Sequence, residues 1–372
     1  MSALMRHLTI KRSILFMIAG LVALIVYLYF FIGVGQLETV FANVNSTQYA
    51  IFYSLALGAV LASVFFWSAA WNTILRRLGV NLPYRRTYLY YWVGYFSDLV
   101  IPCATVCGEL TRLYLVEKET KKGYGLLAAS AITNRIVAYT IVTIGLYGGA
   151  ILIFLKPGIS PVITNVFVIF LIGVTIYTSA LLYLAFVKQA AGNITAIYER
   201  ILKAVKGKKY KETQAQQAKV SLSSYYSGFK VFRENRRLLI RPFILHLISY
   251  LLGLSVYVLI FLALGIPAPS PEFFFVIFFI ATAVQDAAAS LSVGSLDIML
   301  ASIFIFYGLN PGVSGITAVL LRSAGFWFPL FVGFACVQLL GARNLISQTP
   351  SLKKRRVMKG VHVEIPQTEQ SI

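Results

Sequence analysis

Two short stretches of the chain place carboxylates and arginines within or beside apolar segments. The first runs Gly108-Glu109-Leu110-Thr111-Arg112 and is followed by Arg135, and the second runs Gly294-Ser295-Leu296-Asp297 and is followed by Arg322. The later arginine comes 26 residues after the acid in the first stretch and 25 residues after it in the second, which predicts a duplicated site. Because an ionisable group at bilayer depth costs roughly 2.5 to 3.5 kcal/mol, we expect a chain that keeps two matched sets to use them.

Opposite charges within one half of the chain are expected to neutralise each other. We predict that Glu109 pairs with Arg135 and that Asp297 pairs with Arg322. A guanidinium also matches a phosphate in charge and geometry, so each arginine, Arg112 included, is a candidate to hold a lipid headgroup when its carboxylate releases it. Two alternatives stay open: buried pairs sometimes only set helix register, and Glu109 and Arg112 could extend to the membrane interface.

Other polar residues join this candidate site. Asn134 directly precedes Arg135 and belongs to the predicted substrate-binding set. Asp98 and Asp286 have no obvious partner in the sequence, which favours a role in ion or proton coupling. The predicted hairpin turns lie at Pro102, Gly108 and Gly294.

Metal and cofactor sites have little support. Cys103 and Cys107 are four residues apart, a spacing that suits a helical metal pair, but no matching His or Cys cluster accompanies them. We expect small core thiols there, and we expect His246 to be a hydrogen-bonded core residue rather than a ligand. The sequence therefore predicts no metal, no cofactor and no catalytic residue.

The composition is that of a membrane protein. Hydrophobic residues make up 58% of the 372 residues and charged residues only 12%, with a mean hydropathy of +0.77. Such a chain has too little polar surface to cover a water-soluble globule. The net charge of +20 is explained by topology and by attraction to the anionic headgroups of membrane lipids. A nucleic-acid partner is not expected, because no soluble domain presents a basic face.

The apolar segments predict an all-α polytopic fold. Six windows are long enough to span a bilayer, since about 20 apolar residues cross it as a helix. They are Ser13–Gly35, Tyr49–Leu75, Leu126–Leu155, Pro161–Val187, Pro242–Gly265 and Val313–Leu340. Two further regions, Thr87–Gly108 and Phe273–Tyr307, are interrupted by Pro, Gly, Ser or acids and are predicted to be re-entrant hairpins.

The same pattern divides the chain into four parts. Residues 1–187 form a membrane half with the first hairpin, and residues 188–241 form a basic amphipathic cytoplasmic linker. Residues 242–345 form a second membrane half with the second hairpin. Residues 346–372 are predicted to be a basic, disordered tail.

Basic residues predict the orientation, because Lys and Arg favour cytoplasmic loops. Residues 188–241 contain thirteen of them, whereas 36–48 and 266–272 contain none. The alternation holds only if the first hairpin enters from the cytoplasm and the second from outside. We therefore predict a plasma-membrane protein with both termini cytoplasmic, built as an inverted repeat around a midplane site.

The motifs also resemble a known family. Residues 95–135, with Pro102, Gly108-Glu109, Arg112 and Arg135, are similar to the transmembrane region of lysylphosphatidylglycerol synthases, and the second half is similar around Gly294, Asp297 and Arg322. This chain departs from the family pattern in three places. Asn134 replaces a glutamate, residues 287–293 replace a Pro- and Gly-rich turn, and Asp297 stands where glutamate is usual.

The resemblance implies a flippase-like protein that moves an amphiphile, either a modified phospholipid or a polyprenyl-linked saccharide, between leaflets. We expect no aminoacyltransferase domain, because the chain ends shortly after its last helix, and no enzymatic activity. One alternative is a polyprenyl-lipid phosphatase, whose catalytic turn the segment from Asn310 to Gly315 faintly resembles, although Gly315 and Ile316 replace its Arg-Ser. The other is a non-transporting membrane partner of a glycosyltransferase or a lipid-modifying enzyme.

Overall fold

The structure is a computed structural model, and it describes residues 44–101, 106–155, 161–186, 212–267, 269–288 and 294–341 with a few single positions between 18 and 42. The predicted span Ser13–Gly35 falls largely outside these residues. Pro102, residues 188–211 of the predicted linker and the predicted tail also lie outside them. The backbone of Asp286 is described, but its side chain is not.

The described residues are helical and contain no strand. In chain order the helices are α1 Ser46–Arg77, α2 Tyr84–Val100, α3 Val106–Thr120, α4 Tyr124–Leu155, α5 Pro161–Phe186, α6 Glu212–Glu234, α7 Ile240–Ala263, α8 Pro271–Ala288, α9 Ser295–Phe306, α10 Pro311–Arg322 and α11 Phe328–Leu339. A short 3₁₀ turn precedes α7, and a π-helical turn joins α10 to α11.

Long apolar helices confirm the predicted class. Within the described residues, four stretches are long and apolar enough to cross a membrane, namely Ser46–Arg77, Tyr124–Leu152, Arg236–Ala263 and Pro311–Leu339. Large apolar side chains on these helices remain exposed, among them Ile51 on α1, Ile144 on α4 and Leu251 on α7. An apolar exterior of this extent is suited to lipid rather than to water. The protein is therefore an all-α polytopic membrane protein.

Helix α1 packs lengthwise against α7. It begins at Asn45, whose side chain accepts hydrogen bonds from the N–H groups of the first turn. Near this end the Gln48 side chain donates to the carbonyl of Leu262 at the end of α7, 2.8 Å away. Midway along, the Ser63 hydroxyl donates to the Ser249 carbonyl and the Ser249 hydroxyl to the Ser63 carbonyl. The two helices are therefore antiparallel, and they join the two predicted halves of the chain.

Each interrupted apolar region folds as two helices, α2 with α3 in the first hairpin and α8 with α9 in the second. The predicted end of the first hairpin at Gly108 is wrong, because α3 continues to Thr120. The polar residues after Gly108 lowered the hydropathy of this arm, although Arg112 within it is buried. Helices α2 and α3 approach closely at Gly94, where an added Cβ would lie 2.6 Å from Arg112 Cγ.

The last span is continuous except for the π-helical turn Ser323–Trp327, which begins directly after Arg322. Such turns insert an extra residue into the hydrogen-bond ladder and occur often at functional sites. Here the turn is anchored to α1, because Tyr53 and Ser323 share a hydrogen bond of 2.5 Å between their hydroxyls. The turn therefore sets the rotation of the helix that carries Arg322.

Candidate functional site

Both charged stretches meet at one cavity of about 260 Å³ enclosed by residues of both membrane halves. Its charged lining residues are Asp98, Glu109, Arg112, Arg135, Asp297 and Arg322. We call the first four the N-terminal half-site and the last two the C-terminal half-site. Asn134 also lines the cavity. The charged residues predicted from the sequence whose side chains the structure describes, together with Asn134, thus converge on a shared chamber, although their roles there stay predictions.

The ion pair predicted in the N-terminal half-site is formed. Arg135 Nε lies 2.6 Å from Glu109 Oε1, and Arg112 Nη2 lies 3.5 Å from the same oxygen. Arg135 also donates to the hydroxyl of Tyr177 on α5, 3.1 Å away. The Glu109 carboxylate therefore joins α3 to α4 and shares its charge between two guanidinium groups.

Arg112 is buried inside the protein. Its side chain is 8% exposed, and its Nε donates to the Gly108 carbonyl 3.3 Å away. The guanidinium carbon lies 4.3 Å from the centre of the Tyr91 ring and 5.8 Å from that of Trp71. Aromatic faces attract cations in this geometry. Arg112 therefore has partners within the protein, and whether it lies near the membrane interface stays open.

Asp98, which has no evident partner in the sequence, accepts a hydrogen bond from the backbone N–H of Gly108, 2.6 Å away. A Cβ at position 108 would collide with the Asp98 carboxylate. Gly108 itself lies inside the first turns of α3, so its prediction as a turn residue is wrong. Glycine is needed there because α2 and α3 approach too closely for a side chain.

The ion pair predicted in the C-terminal half-site is also formed, but its two charged groups lie farther apart. Arg322 Nε lies 3.6 Å from Asp297 Oδ1, with side chains 5% and 0% exposed. The other carboxylate oxygen accepts from the Gly294 N–H at 2.8 Å. Gly294 caps α9 with a φ of 80°, a conformation that favours glycine, so its predicted turn is confirmed. The Arg322 guanidinium lies 4.2 Å from the centre of the Phe326 ring.

Asn134 is held by His246. A hydrogen bond of 2.9 Å joins Asn134 Oδ1 to His246 Nε2, and both residues are buried. The His246 ring also meets the Trp67 ring edge-on at 4.7 Å. The prediction of His246 as a hydrogen-bonded core residue is confirmed, and its bond fixes an amide in the wall of the cavity.

Sequence reasoning missed an uncharged wall of the cavity. Helices α1 and α7 contribute Ser63, Trp67, Ser249, Tyr250 and Tyr257, a set we call the neutral wall. From α2, Tyr91 and Tyr95 also line the cavity. Tyr91 lies about two helical turns before Asp98, and Tyr95 lies about one turn before it. This spacing in the sequence was the available signal that the three side chains share one face of α2.

Two other predictions need comment. Cys107 is disulfide-bonded, so the expectation of a free thiol is wrong for this residue, whereas Cys336 is a buried free thiol. Although the Asp286 side chain is not described, its neighbour Gln285 lines the cavity and donates to the Tyr95 hydroxyl at 3.3 Å. The coupling role of Asp286 stays a prediction, as does the absence of metal and cofactor.

Comparison with known proteins identifies the family. Residues 17–333 match the family model described as the lysylphosphatidylglycerol synthase TM region. The chain is also 24% identical over 311 residues to the UPF0104 membrane protein PH1989 of Pyrococcus horikoshii, covering 76% of this chain and 85% of that protein. No solved structure matches the chain. Since the family model covers most of the chain, including both half-sites, this protein belongs to the lysylphosphatidylglycerol synthase TM region family.

Proposed function

We propose that this protein moves an amphiphile with a phosphate-containing headgroup between the leaflets of the plasma membrane, and that it is not an enzyme. The observation that carries the proposal is the meeting of both half-sites at one cavity within a bundle of membrane-spanning length. Side chains of this charge at bilayer depth are typical of substrate pathways. A cavity lined by charged side chains in an apolar bundle gives a headgroup a route that avoids the hydrocarbon.

The order of the helices supports an inverted repeat. A long span, a helical hairpin and another long span occur as α1 to α4 and again as α7 to α11. Equivalent positions in the two halves are separated by a nearly constant number of residues. The pairs are Ser63 and Ser249, Glu109 and Asp297, and Arg135 and Arg322. The basic-loop pattern orients the two halves oppositely and leaves both termini cytoplasmic. In transporters of this design the substrate site lies between the repeats.

The ion pairs suggest how a headgroup enters the site. In the empty protein each carboxylate compensates a guanidinium that would otherwise be uncompensated in a low-dielectric region. A phosphate presents the same negative oxygens in a similar fork, so it can replace the carboxylate without leaving the arginine unpaired. The arginine thus stays neutralised during the exchange, and the released carboxylate keeps another partner, because Glu109 still pairs with Arg112 and Asp297 still accepts from the Gly294 N–H.

The proposal is tested with purified full-length protein in liposomes that contain a fluorescent phosphatidylglycerol, whose outer-leaflet fraction is quenched by dithionite. We expect rapid exchange between leaflets, which Arg135→Ala or Arg322→Ala abolishes. The matched control is Arg233→Ala, because Arg233 is an exposed arginine on α6 that does not line the cavity. Wild-type exchange rates in both cavity variants would contradict the proposal.

The same preparation separates the alternatives. Release of inorganic phosphate from a polyprenyl diphosphate, lost in Arg322→Ala, would support a phosphatase instead. Co-purification of a glycosyltransferase or lipid-modifying enzyme that requires residues 188–241, without any lipid movement, would support a partner role.

A further inference from the structure

The cavity has two chemically different sides. Its charged residues come from the two hairpins and from the spans that follow them, whereas the neutral wall comes from α1 and α7, which contribute no charged side chain to the lining. We propose, on the basis of the proposed function, that the neutral wall binds a sugar, and that the substrate is a glycosylated phospholipid or polyprenyl phosphate whose headgroup beyond the phosphate is uncharged.

The placement of the charges around the cavity argues against a cationic headgroup. The described lining residues include three carboxylates and three arginines, so their formal charges cancel. Each carboxylate already has a donor: Asp98 and Asp297 accept from backbone N–H groups, and Glu109 is shared by two arginines. Once the arginines hold the phosphate, the part of the headgroup beyond it meets the neutral wall, which contains no carboxylate. An ammonium group there would have no ion-pair partner, whereas an uncharged group needs none.

The neutral wall has the features that a sugar ring requires. Trp67 and Tyr250 meet at 5.3 Å between ring centres, and Trp67 also lies 6.5 Å from Tyr91. Aromatic faces carry partial negative charge, so they attract the weakly positive C–H groups on the face of a pyranose. Around these rings stand the serine hydroxyls of Ser63 and Ser249 and the amide of Asn134, which can exchange hydrogen bonds with sugar hydroxyls.

The size of the cavity is consistent with a small headgroup. Small-molecule sites usually enclose about 300 to 1,000 Å³, and this cavity of about 260 Å³ lies just below that range. Since a phosphate takes part of the space beside the arginines, the remainder suits a small group. The lipid chains would stay outside in the bilayer.

The test compares three fluorescent lipids in liposomes containing the full-length protein: a glucosyl polyprenyl phosphate, phosphatidylglycerol and lysylphosphatidylglycerol. We expect the glucosyl lipid to exchange at least about fivefold faster than the lysyl lipid. Trp67→Leu should slow the glucosyl lipid by about fivefold and phosphatidylglycerol by less than about twofold. The matched control is Phe275→Leu, since Phe275 is a partly buried aromatic residue outside the cavity lining.

Asn134→Asp is expected to make the protein favour cationic headgroups, because it places an extra carboxylate in the cavity lining with almost no change in shape. This variant should raise the exchange rate of the lysyl lipid relative to the glucosyl lipid.

The outcomes distinguish the two proposals. If no lipid exchanges, the proposed transport function fails, and binding of the same three lipids in detergent still decides the headgroup. Preference for the lysyl lipid, or equal slowing of all lipids by Trp67→Leu, would overturn the sugar site. Should Trp67→Leu fail to fold, the selectivity of the wild-type protein decides.

Discussion

The C-terminal half-site allows a sharp test of what its ion pair does. In Arg322→Met the guanidinium is removed while most of the side-chain volume is kept. The Asp297 carboxylate, with a side chain 0% exposed, then retains the Gly294 N–H as its donor on one oxygen. At the observed 3.6 Å and an effective dielectric constant near 20, the lost attraction amounts to about 5 kcal/mol.

The expected loss of stability is large. Removing one partner of a buried ion pair typically lowers the free energy of unfolding by about 3 to 5 kcal/mol. The net free energy of unfolding of a protein is only about 5 to 15 kcal/mol. In the double variant Asp297→Asn with Arg322→Met, no buried charge remains in the C-terminal half-site, and the amide oxygen can still accept from the Gly294 N–H. We therefore expect the double variant to recover most of the stability while transport stays abolished, since the guanidinium is absent from both.

The assay is reversible unfolding in mixed micelles, with lipid exchange measured on the same preparations. The control is Lys230→Met, because the Lys230–Glu234 pair has the same 3.6 Å separation but side chains 64% and 63% exposed. Exposed pairs contribute about 0 to 1 kcal/mol. The reasoning is refuted if Arg322→Met is no more destabilising than Lys230→Met, or if the double variant is less stable than the single one.

Two further predictions concern the first hairpin and the topology. Gly108→Ala should destabilise the protein by about 1 to 3 kcal/mol and reduce lipid exchange, because the added methyl group meets the Asp98 carboxylate. The control is Gly173→Ala, where a Cβ meets nothing within 4 Å. This control variant should be neutral or slightly stabilising in the same unfolding assay. In a variant without native cysteines, Pro269→Cys should react with an impermeant thiol reagent from outside intact cells and Lys230→Cys should not. Labelling of both positions from the same side would contradict the predicted topology.

The sequence was sufficient to predict both acid–arginine pairs. Glu109 and Arg135, like Asp297 and Arg322, lie on a hairpin arm and on the span that follows it, so they come within reach once the two helices pack. Because an unpaired charge is costly at bilayer depth, few other arrangements are tolerable. Spacing and burial energy together were therefore enough, without knowledge of the remaining helices.

Other parts of the site could not be predicted, because they depend on tertiary contacts. The partner of Asp98 is a backbone N–H, which no side-chain pattern reveals. Hydropathy ended the first hairpin at Gly108, since it counts Arg112 as polar even though its neighbours bury it. The neutral wall requires α1 to lie against α7, a contact between segments nearly two hundred residues apart in sequence. Long-range packing, rather than local preference, created these features.

Under the proposed function, the paired charges predict that binding and stability are difficult to separate. A guanidinium that is to bind a phosphate has to be present when the site is empty, and because it is buried it then needs another negative partner. Asp297 fills that position for Arg322, and Glu109 fills it for Arg135. Replacing Arg322 alone therefore removes a binding group and also leaves the Asp297 carboxylate without its ion-pair partner, whereas Glu109 keeps Arg112 when Arg135 is replaced. In the C-terminal half-site, only the paired substitution, which removes both charges together, separates the arginine's contribution to transport from its contribution to folding.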